Sequence, residues 1–193
     1  MTRAEILETA AQIFREKGFH GTSMQDIAQA VNLKKASLYH HISSKQGILL
    51  ALLDDALDLL IERITVVKNQ KIPPEEKLRQ AIACYLQILA EHRDLSAVLL
   101  FEHRSLDRDL HAKHVPRRDR FESIWREMIQ EGMQQGTFSQ MDASLAARAL
   151  MGVMNWTLTW YRLDGSLSVH EIAYEYTDLI LKGLLVRPQV AAD

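Results

Sequence analysis

Residues that interrupt helices are scarce in this chain. Its 193 residues include 8 glycines and 4 prolines, whereas a many-stranded protein needs more of these residue types at its turns. Apolar residues recur instead at the three- and four-residue spacing of one face of a helix. We therefore predict an all-α fold of about nine helices, with a three-helix head at the N-terminus and a larger helical body after it.

Capping residues and prolines predict where the helices begin and end. Thr22 with Gln25, and Ser43 with Gln46, have the spacing of capping boxes, in which two side chains satisfy free N–H groups of a first turn. Pro116 suits the start of a helix or a kink within one. The predicted helices cover residues 2–17, 22–31, 34–40, 43–67, 74–92, 94–104, 113–135, 142–162 and 168–186.

Charge is unevenly distributed along the chain. The net charge is -2, yet the first 50 residues carry six Lys or Arg and four acidic residues, so the head is basic and the body acidic. This distribution would keep phosphate contacts at one end of the molecule. Cys84 is the only cysteine, which is typical of a protein in a reducing cytoplasm. The apolar run Gly47–Leu53 is too short to cross a bilayer, so we predict a cytoplasmic protein with no membrane partner.

The first 40 residues have the plan of a helix-turn-helix, in which a tight turn joins the second and third helices. Small residues are needed where these helices cross, and Ala28 and Ala36 are candidates. An apolar underside is provided by Ile27, Val31, Leu33 and Leu38. The outer face should carry hydrogen-bond donors for a duplex. Those available are Lys34, Lys35, Ser37, Tyr39 and His40, with Lys45 as a further phosphate partner.

These residues resemble the head of the tetracycline-repressor (TetR/AcrR) family over about 45 residues. The resemblance lies in Ile6–Phe14, Gly18, Thr22–Met24, Ile27–Ala28, Leu38–His41 and Ser44–Lys45. It implies a DNA-binding domain at residues 1–45 and a ligand-binding and dimerisation domain at residues 46–193. It also implies that the third helix enters the major groove and that Thr22, Tyr39 and Lys45 contact phosphates. The predicted DNA-binding residues are Thr22, Ser23, Lys34, Lys35, Ala36, Ser37, Tyr39, His40 and Lys45.

Two positions of the head depart from the family pattern. Lys34 stands where the family usually has a Ser or Thr hydroxyl that caps the third helix, and this difference affects which bases are read. Ile42 stands where the family usually has Phe, which is a change of volume at a packed site.

The last two helices carry more apolar residues than one side of a helix should expose. In the family that the chain resembles, these helices pair with their counterparts in a four-helix interface. A palindromic operator, with half-sites about 34 Å apart, also needs a twofold protein. We therefore predict a homodimer, although the same residues could complete the monomer core. They are Leu145, Ala146, Ala149, Leu150, Val153, Leu158, Ile172, Ile180, Leu181, Leu184 and Leu185. The tail, Arg187–Asp193, is expected to be frayed.

The most distinctive stretch of the body is Asn155–Arg162, where Trp156 and Trp160 lie one helical turn apart. With Asp164–Ser168, it resembles family members that respond to fatty-acyl or sterol-derived acyl-CoA thioesters. Such a ligand needs an apolar tunnel, for which four methionines are suitable, and cations for its phosphates. An aromatic core and a solvated charged face are the alternative interpretations. The predicted ligand-binding residues are Phe101, Arg104, Trp125, Met128, Met151, Asn155, Trp156 and Trp160.

Other classes of function fit the sequence less well. His111 and His114 could share a helical face, but no third ligand has zinc-type spacing, and neither a phosphate-binding glycine loop nor a G-x-S-x-G motif occurs. We predict neither an enzyme nor a bound cofactor or metal. A repressor that responds to lipophilic cations stays open as an alternative, because such a pocket needs buried carboxylates. Candidates for these carboxylates are Glu102, Glu127 and Glu131.

Overall fold

Nine α-helices make up most of the described chain, which confirms the all-α prediction. The computed structural model describes residues 2–184. Its helices are α1 (Arg3–Lys17), α2 (Met24–Ala30), α3 (Lys35–His41), α4 (Lys45–Lys68), α5 (Pro74–Glu91), α6 (Arg93–Ala97), α7 (Arg108–Gln134), α8 (Ala143–Trp160) and α9 (Val169–Leu184). The predicted helix end at residue 186, Leu185 and the tail Arg187–Asp193 lie outside the described residues.

The start of α2 is one residue later than predicted. The capping box consists of Ser23 and Asp26, not of Thr22 and Gln25. The Asp26 N–H donates to Ser23 Oγ at 3.2 Å, and the Ser23 N–H donates to Asp26 Oδ2 at 2.7 Å. The carboxylate accepts more strongly than the Gln25 amide and lies at the positive end of the helix dipole. The Thr22 hydroxyl donates instead to the Gly18 carbonyl at 2.8 Å.

The start of α4 is also shifted from the predicted box of Ser43 and Gln46. Ser44 Oγ accepts from the Gly47 N–H at 2.9 Å, so this hydroxyl caps the first turn. The amide of Gln46 instead donates to the Ser105 carbonyl at 2.9 Å. The Gln46 side chain, which the local spacing predicts to cap α4, therefore bonds a residue distant in sequence instead.

The segment between α5 and the middle of α7 differs most from the prediction. The helix expected at residues 94–104 is α-helical only over α6, and continues as a π-helical turn at Val98–Glu102 and a 3-10 turn at His103–Ser105. Helix α7 begins at Arg108, before the predicted residue 113, because Asp107 Oδ1 accepts from the Leu110 N–H at 2.9 Å. Pro116 lies inside α7, where it removes a single N–H donor from the helix.

The described chain divides into two compact units, which we treat separately. The first unit consists of the residues up to Leu59 together with His92–Asp119, and the second of Leu60–Glu91 together with the residues from Arg120 onward. Two of the three boundaries between them fall inside long helices, α4 and α7, and the third falls between α5 and α6. In the second unit, α5 packs against α8 and α9. Within residues 2–184, no helix is long and apolar enough to cross a membrane.

Candidate DNA-binding and ligand-binding sites

The three helices of the head share one apolar core. Ile27, Ala28 and Leu38 have no exposed surface, and Phe14 of α1 is 1% exposed. Burying each larger side chain stabilises the head by about 1.5–3 kcal/mol. The predicted underside is therefore confirmed. Of the two small residues proposed for the helix crossing, Ala28 is buried, but Ala36 is exposed on the outer face, so its assignment to the crossing was wrong.

A tight turn fixes α3 relative to α2. The Leu33 N–H donates to the Ala28 carbonyl at 2.8 Å, and Asn32 between them has φ 53°, a left-handed conformation that Asn tolerates better than most residues. Lys34 is the N-cap of α3 and makes no capping hydrogen bond, because an ammonium group cannot accept one. Ile42, the second departure from the family pattern, is 7% exposed and fills its place in the head core.

The outer face of α3 is polar and open to solvent. Lys35, Ala36, Tyr39 and His40 occupy neighbouring positions on the side of the helix opposite the buried Leu38. Lys34 is exposed at the start of this face, whereas Ser37 is half-buried. The structure therefore brings six of the nine predicted DNA-binding residues together on α3 and its cap.

The other three predicted DNA-binding residues lie beside the turn between α1 and α2. Lys45 Nζ donates to the carbonyls of Phe19 at 2.7 Å and Thr22 at 2.6 Å, and lies 4.3 Å from the centre of the Phe19 ring. Thr22 is 2% exposed and its hydroxyl is engaged. Ser23 is exposed, with its hydroxyl donating to Asp26. All three therefore shape the turn, and their phosphate contacts stay predictions.

An aromatic cluster lies in the core of the second unit. The ring of Tyr85 stacks on Phe121 with 5.9 Å between centroids, and Trp125 contacts both rings edge-to-face at 5.9 and 6.3 Å. The Tyr85 hydroxyl donates to Asn155 Oδ1, and burial raises the pKa of Tyr85. Two predicted ligand-binding residues, Trp125 and Asn155, are thereby brought to the same tyrosine.

The remaining predicted ligand-binding residues are dispersed. Met128 is buried and Met151 is half-buried in the second unit. Trp156 is 67% exposed and Trp160 is 41% exposed on α8, and Trp160 lines an open cleft at the α8–α9 turn. Phe101 and Arg104 belong to the first unit and are exposed there. The ligand site thus stays a prediction.

Sequence reasoning missed Tyr85 and Phe121. Phe121 lies one helical turn before Trp125 on α7, a spacing that could have indicated their contact. Tyr85 lies on α5, and no local motif connects it with Trp125, because pairing across helices depends on the tertiary fold.

The carboxylates considered for a cation-binding pocket all have partners. Lys77 is 4% exposed, and its Nζ lies 2.8 Å from both carboxylate oxygens of Glu131. Glu127 pairs with Lys68. In the first unit, Glu102 accepts from the Ser105 hydroxyl at 3.2 Å. Two of the three charges are therefore neutralised by lysine within the protein.

The histidines considered for a metal site do not form one. His114 is 2% exposed, and its Nδ1 lies 2.9 Å from Asp54 Oδ1, where Arg117 also contacts the Asp54 carboxylate at 2.6 Å. Across residues 2–184, no group of three or more His, Cys, Asp or Glu side chains is arranged to hold a metal ion.

The outer face of α8 carries a row of exposed apolar side chains. We call Leu145, Ala149, Val153, Trp156 and Trp160 the α8 stripe, because all five are exposed and recur every three or four residues. Tyr174 and Leu179 are exposed on α9. Other residues predicted for the interface are buried in the second unit, namely Leu150, Leu158, Ile172 and Leu181. The core interpretation is therefore confirmed for these four residues, and the pairing of the exposed α8 stripe with a second copy stays a prediction.

Two family descriptions match this arrangement. Residues 6–52 match "Bacterial regulatory proteins, tetR family", and residues 71–184 match "Tetracyclin repressor-like, C-terminal domain". The chain belongs to the tetR family. Because the family consists of transcriptional regulators, the prediction that this protein is not an enzyme is confirmed, and it is a ligand-responsive transcriptional repressor of this family.

Individual relatives cover nearly the whole chain. The helix-turn-helix transcriptional repressor KstR2 of Rhodococcus jostii (strain RHA1) is 29% identical over 194 residues, which span 94% of this chain and 90% of KstR2. The TetR family regulator PfmR from Thermus thermophilus has a TM-score of 0.85 and 37% identity, covering 92% of this chain and 97% of PfmR. AibR in complex with isovaleryl coenzyme A and operator DNA has a TM-score of 0.83 and 28% identity, covering 95% of this chain and 97% of AibR.

Proposed function

We propose that this repressor binds a palindromic operator as a homodimer and that an acyl-CoA releases it from DNA. Residues 1–45 would form the DNA-binding domain, and residues 46–193 the ligand-binding and dimerisation domain. The observation that carries the proposal is the exposed polar face of α3 above a fully buried underside.

The face of α3 supports recognition of a duplex in the major groove. Lys34 and Lys35 provide positive charge, and Tyr39 and His40 provide hydrogen-bonding groups one turn further along. A helix seven residues long reaches only a few bases. Two copies of the head, about 34 Å apart, would therefore be needed for specificity.

The α8 stripe supports the homodimer. Its side chains include Trp156, with 67% of its surface exposed, and Leu145, with 66%. Soluble monomers rarely leave such a continuous apolar row in water, and a twofold axis would let the stripe pack against its own copy.

Two features of the second unit support an acyl chain over a lipophilic cation as its occupant. Trp125 and Met128 provide buried aromatic and thioether surface, which suits an acyl chain. Glu127 and Glu131, which would attract a cation, are each paired with lysine. Among the relatives, AibR was solved with isovaleryl coenzyme A, so a CoA thioester is already a ligand within this fold.

Release from DNA would follow from differential affinity. If the acyl-CoA binds more tightly to a conformation whose heads misfit the groove, it shifts the population by that difference in free energy and no more. A ligand with equal affinity for both conformations would leave repression unchanged.

A titration tests the proposal and its rival together. Operator-bound protein is titrated in a gel-shift assay with isovaleryl-, octanoyl- and palmitoyl-CoA, with the cationic dye rhodamine 6G, and with free CoA as the control. We expect release by at least one acyl-CoA and by neither the dye nor CoA. Undiminished DNA binding with all three saturating thioesters would contradict the acyl-CoA proposal, and release by the dye would favour the cation alternative.

A further inference from the structure

The indole N–H of Trp125 is buried without a hydrogen-bond partner. The side chain has no exposed surface, and Nε1 has neither solvent contact nor an acceptor among residues 2–184. Most buried N–H groups in native proteins have an acceptor, since the group loses its hydrogen bonds to water on folding. An unused donor inside the predicted ligand-binding unit indicates that a bound molecule supplies the acceptor.

The surroundings of Nε1 restrict which acceptors are suitable. The neighbouring rings of Tyr85 and Phe121 are apolar, and the Tyr85 hydroxyl is committed to Asn155. Elsewhere in the described part of this unit, the buried ammonium of Lys77 is paired with Glu131. A charged acceptor would lose its hydration in these surroundings without gaining a counter-ion, whereas a neutral carbonyl oxygen loses much less.

We propose that the Trp125 indole N–H donates a hydrogen bond to the carbonyl oxygen of the effector, so that this residue selects acyl thioesters over ligands of equal length without a carbonyl. The inference rests on the proposed function and adds to it the polar contact that defines the ligand class. The proposed contact joins two uncharged groups and involves no covalent step.

A pair of ligands isolates this contact. The acyl-CoA that binds most tightly among the isovaleryl, octanoyl and palmitoyl thioesters is compared with its S-alkyl thioether, which keeps the chain and the CoA but lacks the carbonyl. Calorimetry on the wild-type protein is expected to give a preference of about tenfold for the thioester, as one buried hydrogen bond supplies. In Trp125→Phe the two affinities should become equal.

Phe is smaller than Trp, so Trp125→Phe also loses packing contacts. This loss weakens the binding of both ligands equally, and it therefore cancels in the ratio of their affinities for the same protein. Tyr176→Phe is the matched control, since it also removes one polar group from the second unit, a hydroxyl that accepts from Thr157 Oγ1 at 3.4 Å, and it should keep the tenfold preference. If Trp125→Phe does not fold, the indole ¹⁵N–¹H resonance of Trp125 in the wild type gives the answer. It should move downfield with the thioester and not with the thioether.

The outcomes separate this inference from the proposed function. Equal affinity of the wild-type protein for thioester and thioether, or a tenfold preference that survives in Trp125→Phe, would overturn the role of Trp125 and leave the acyl-CoA proposal intact. Failure of the wild type to bind any of the three thioesters would overturn both.

Discussion

Among individual residues, Lys45 is predicted to bind DNA and also stabilises the folded head. Its ammonium donates to two carbonyls of the α1–α2 turn and lies over the Phe19 ring. A lysine ammonium has three donors, so one is still available for a phosphate. Lys34 is exposed and makes no such contact with the described part of the chain. The two lysines should therefore respond differently to the same substitution.

Lys45→Met keeps the aliphatic chain and removes the charge. We expect the free energy of unfolding to fall by about 2 kcal/mol, because two charged hydrogen bonds and a cation–π contact are lost. Urea unfolding measures the change, with Lys34→Met as the control, for which an effect within about 0.5 kcal/mol is expected at an exposed site. Equal stability of the two variants would show that Lys45 does not brace the turn.

Lys34→Met should instead weaken operator binding. A lysine that contacts a phosphate contributes about one unit to the slope of log K against log salt concentration. Anisotropy titrations over a series of salt concentrations should therefore show a slope lower by about one in the variant. An unchanged slope and affinity would remove Lys34 from the DNA-binding set.

Among the secondary-structure elements, several helices begin where a side-chain oxygen accepts a hydrogen bond from a backbone N–H group of the first turn. Residues 2–184 contain three boxes of the same kind, in Thr2 with Glu5, Ser23 with Asp26, and Ser168 with Glu171. In the second, hydrogen bonds from the Ser23 hydroxyl and then from its N–H lower the pKa of Asp26 below the ordinary 3.8. A lowered pKa stabilises the fold fully above the unfolded value, and this contribution is lost as the pH falls through the folded value.

The loss on acidification should depend on Asp26. We expect the wild type to lose more stability between about pH 5 and pH 3 than Asp26→Asn, whose amide cannot titrate. Urea unfolding across this range measures the difference. Asp109→Asn serves as the control, because the Asp109 carboxylate is exposed and has no partner among the described residues. Equal losses of unfolding free energy in Asp26→Asn and the wild type over this pH range would show that ionised Asp26 does not stabilise the fold.

Helical periodicity predicted every α-helix, because a 3.6-residue repeat with few breakers is a local property of the chain. Some errors came from a neighbouring aspartate that caps the helix, as at the starts of α2 and α7. Others came from a distant group that competes with a local one. Gln46 was assigned to a cap but contacts Ser105, and the residues after α6 form π and 3-10 turns that no spacing announced. The exposed face of α3 was predictable from its polar pattern, whereas the Tyr85–Trp125 pairing depends on how α5 and α7 pack.

At the scale of the whole molecule, the α8 stripe should decide the oligomeric state. Val153 is 40% exposed at the centre of the stripe, and Val153→Glu would place a charge in the proposed interface, where it has no partner. We expect a monomer by analytical ultracentrifugation and a large loss of operator affinity, since the two heads would no longer be linked.

Val66→Glu is the matched control for this change. Val66 lies on α4 and is 63% exposed, so the same charge there should leave the dimer intact. A Val153→Glu protein that stays dimeric, or a Val66→Glu protein that dissociates equally, would contradict the proposed interface.

The proposed repressor function requires that the outer face of α3 binds duplex DNA. We would test this requirement by footprinting the purified protein on the DNA upstream of its own gene, at about 50 mM salt. We predict a protected site with twofold symmetry that is lost when Lys34 and Lys35 are both replaced by Met. Uniform cleavage of that DNA at saturating protein, or a footprint that the double variant leaves unchanged, would contradict the account.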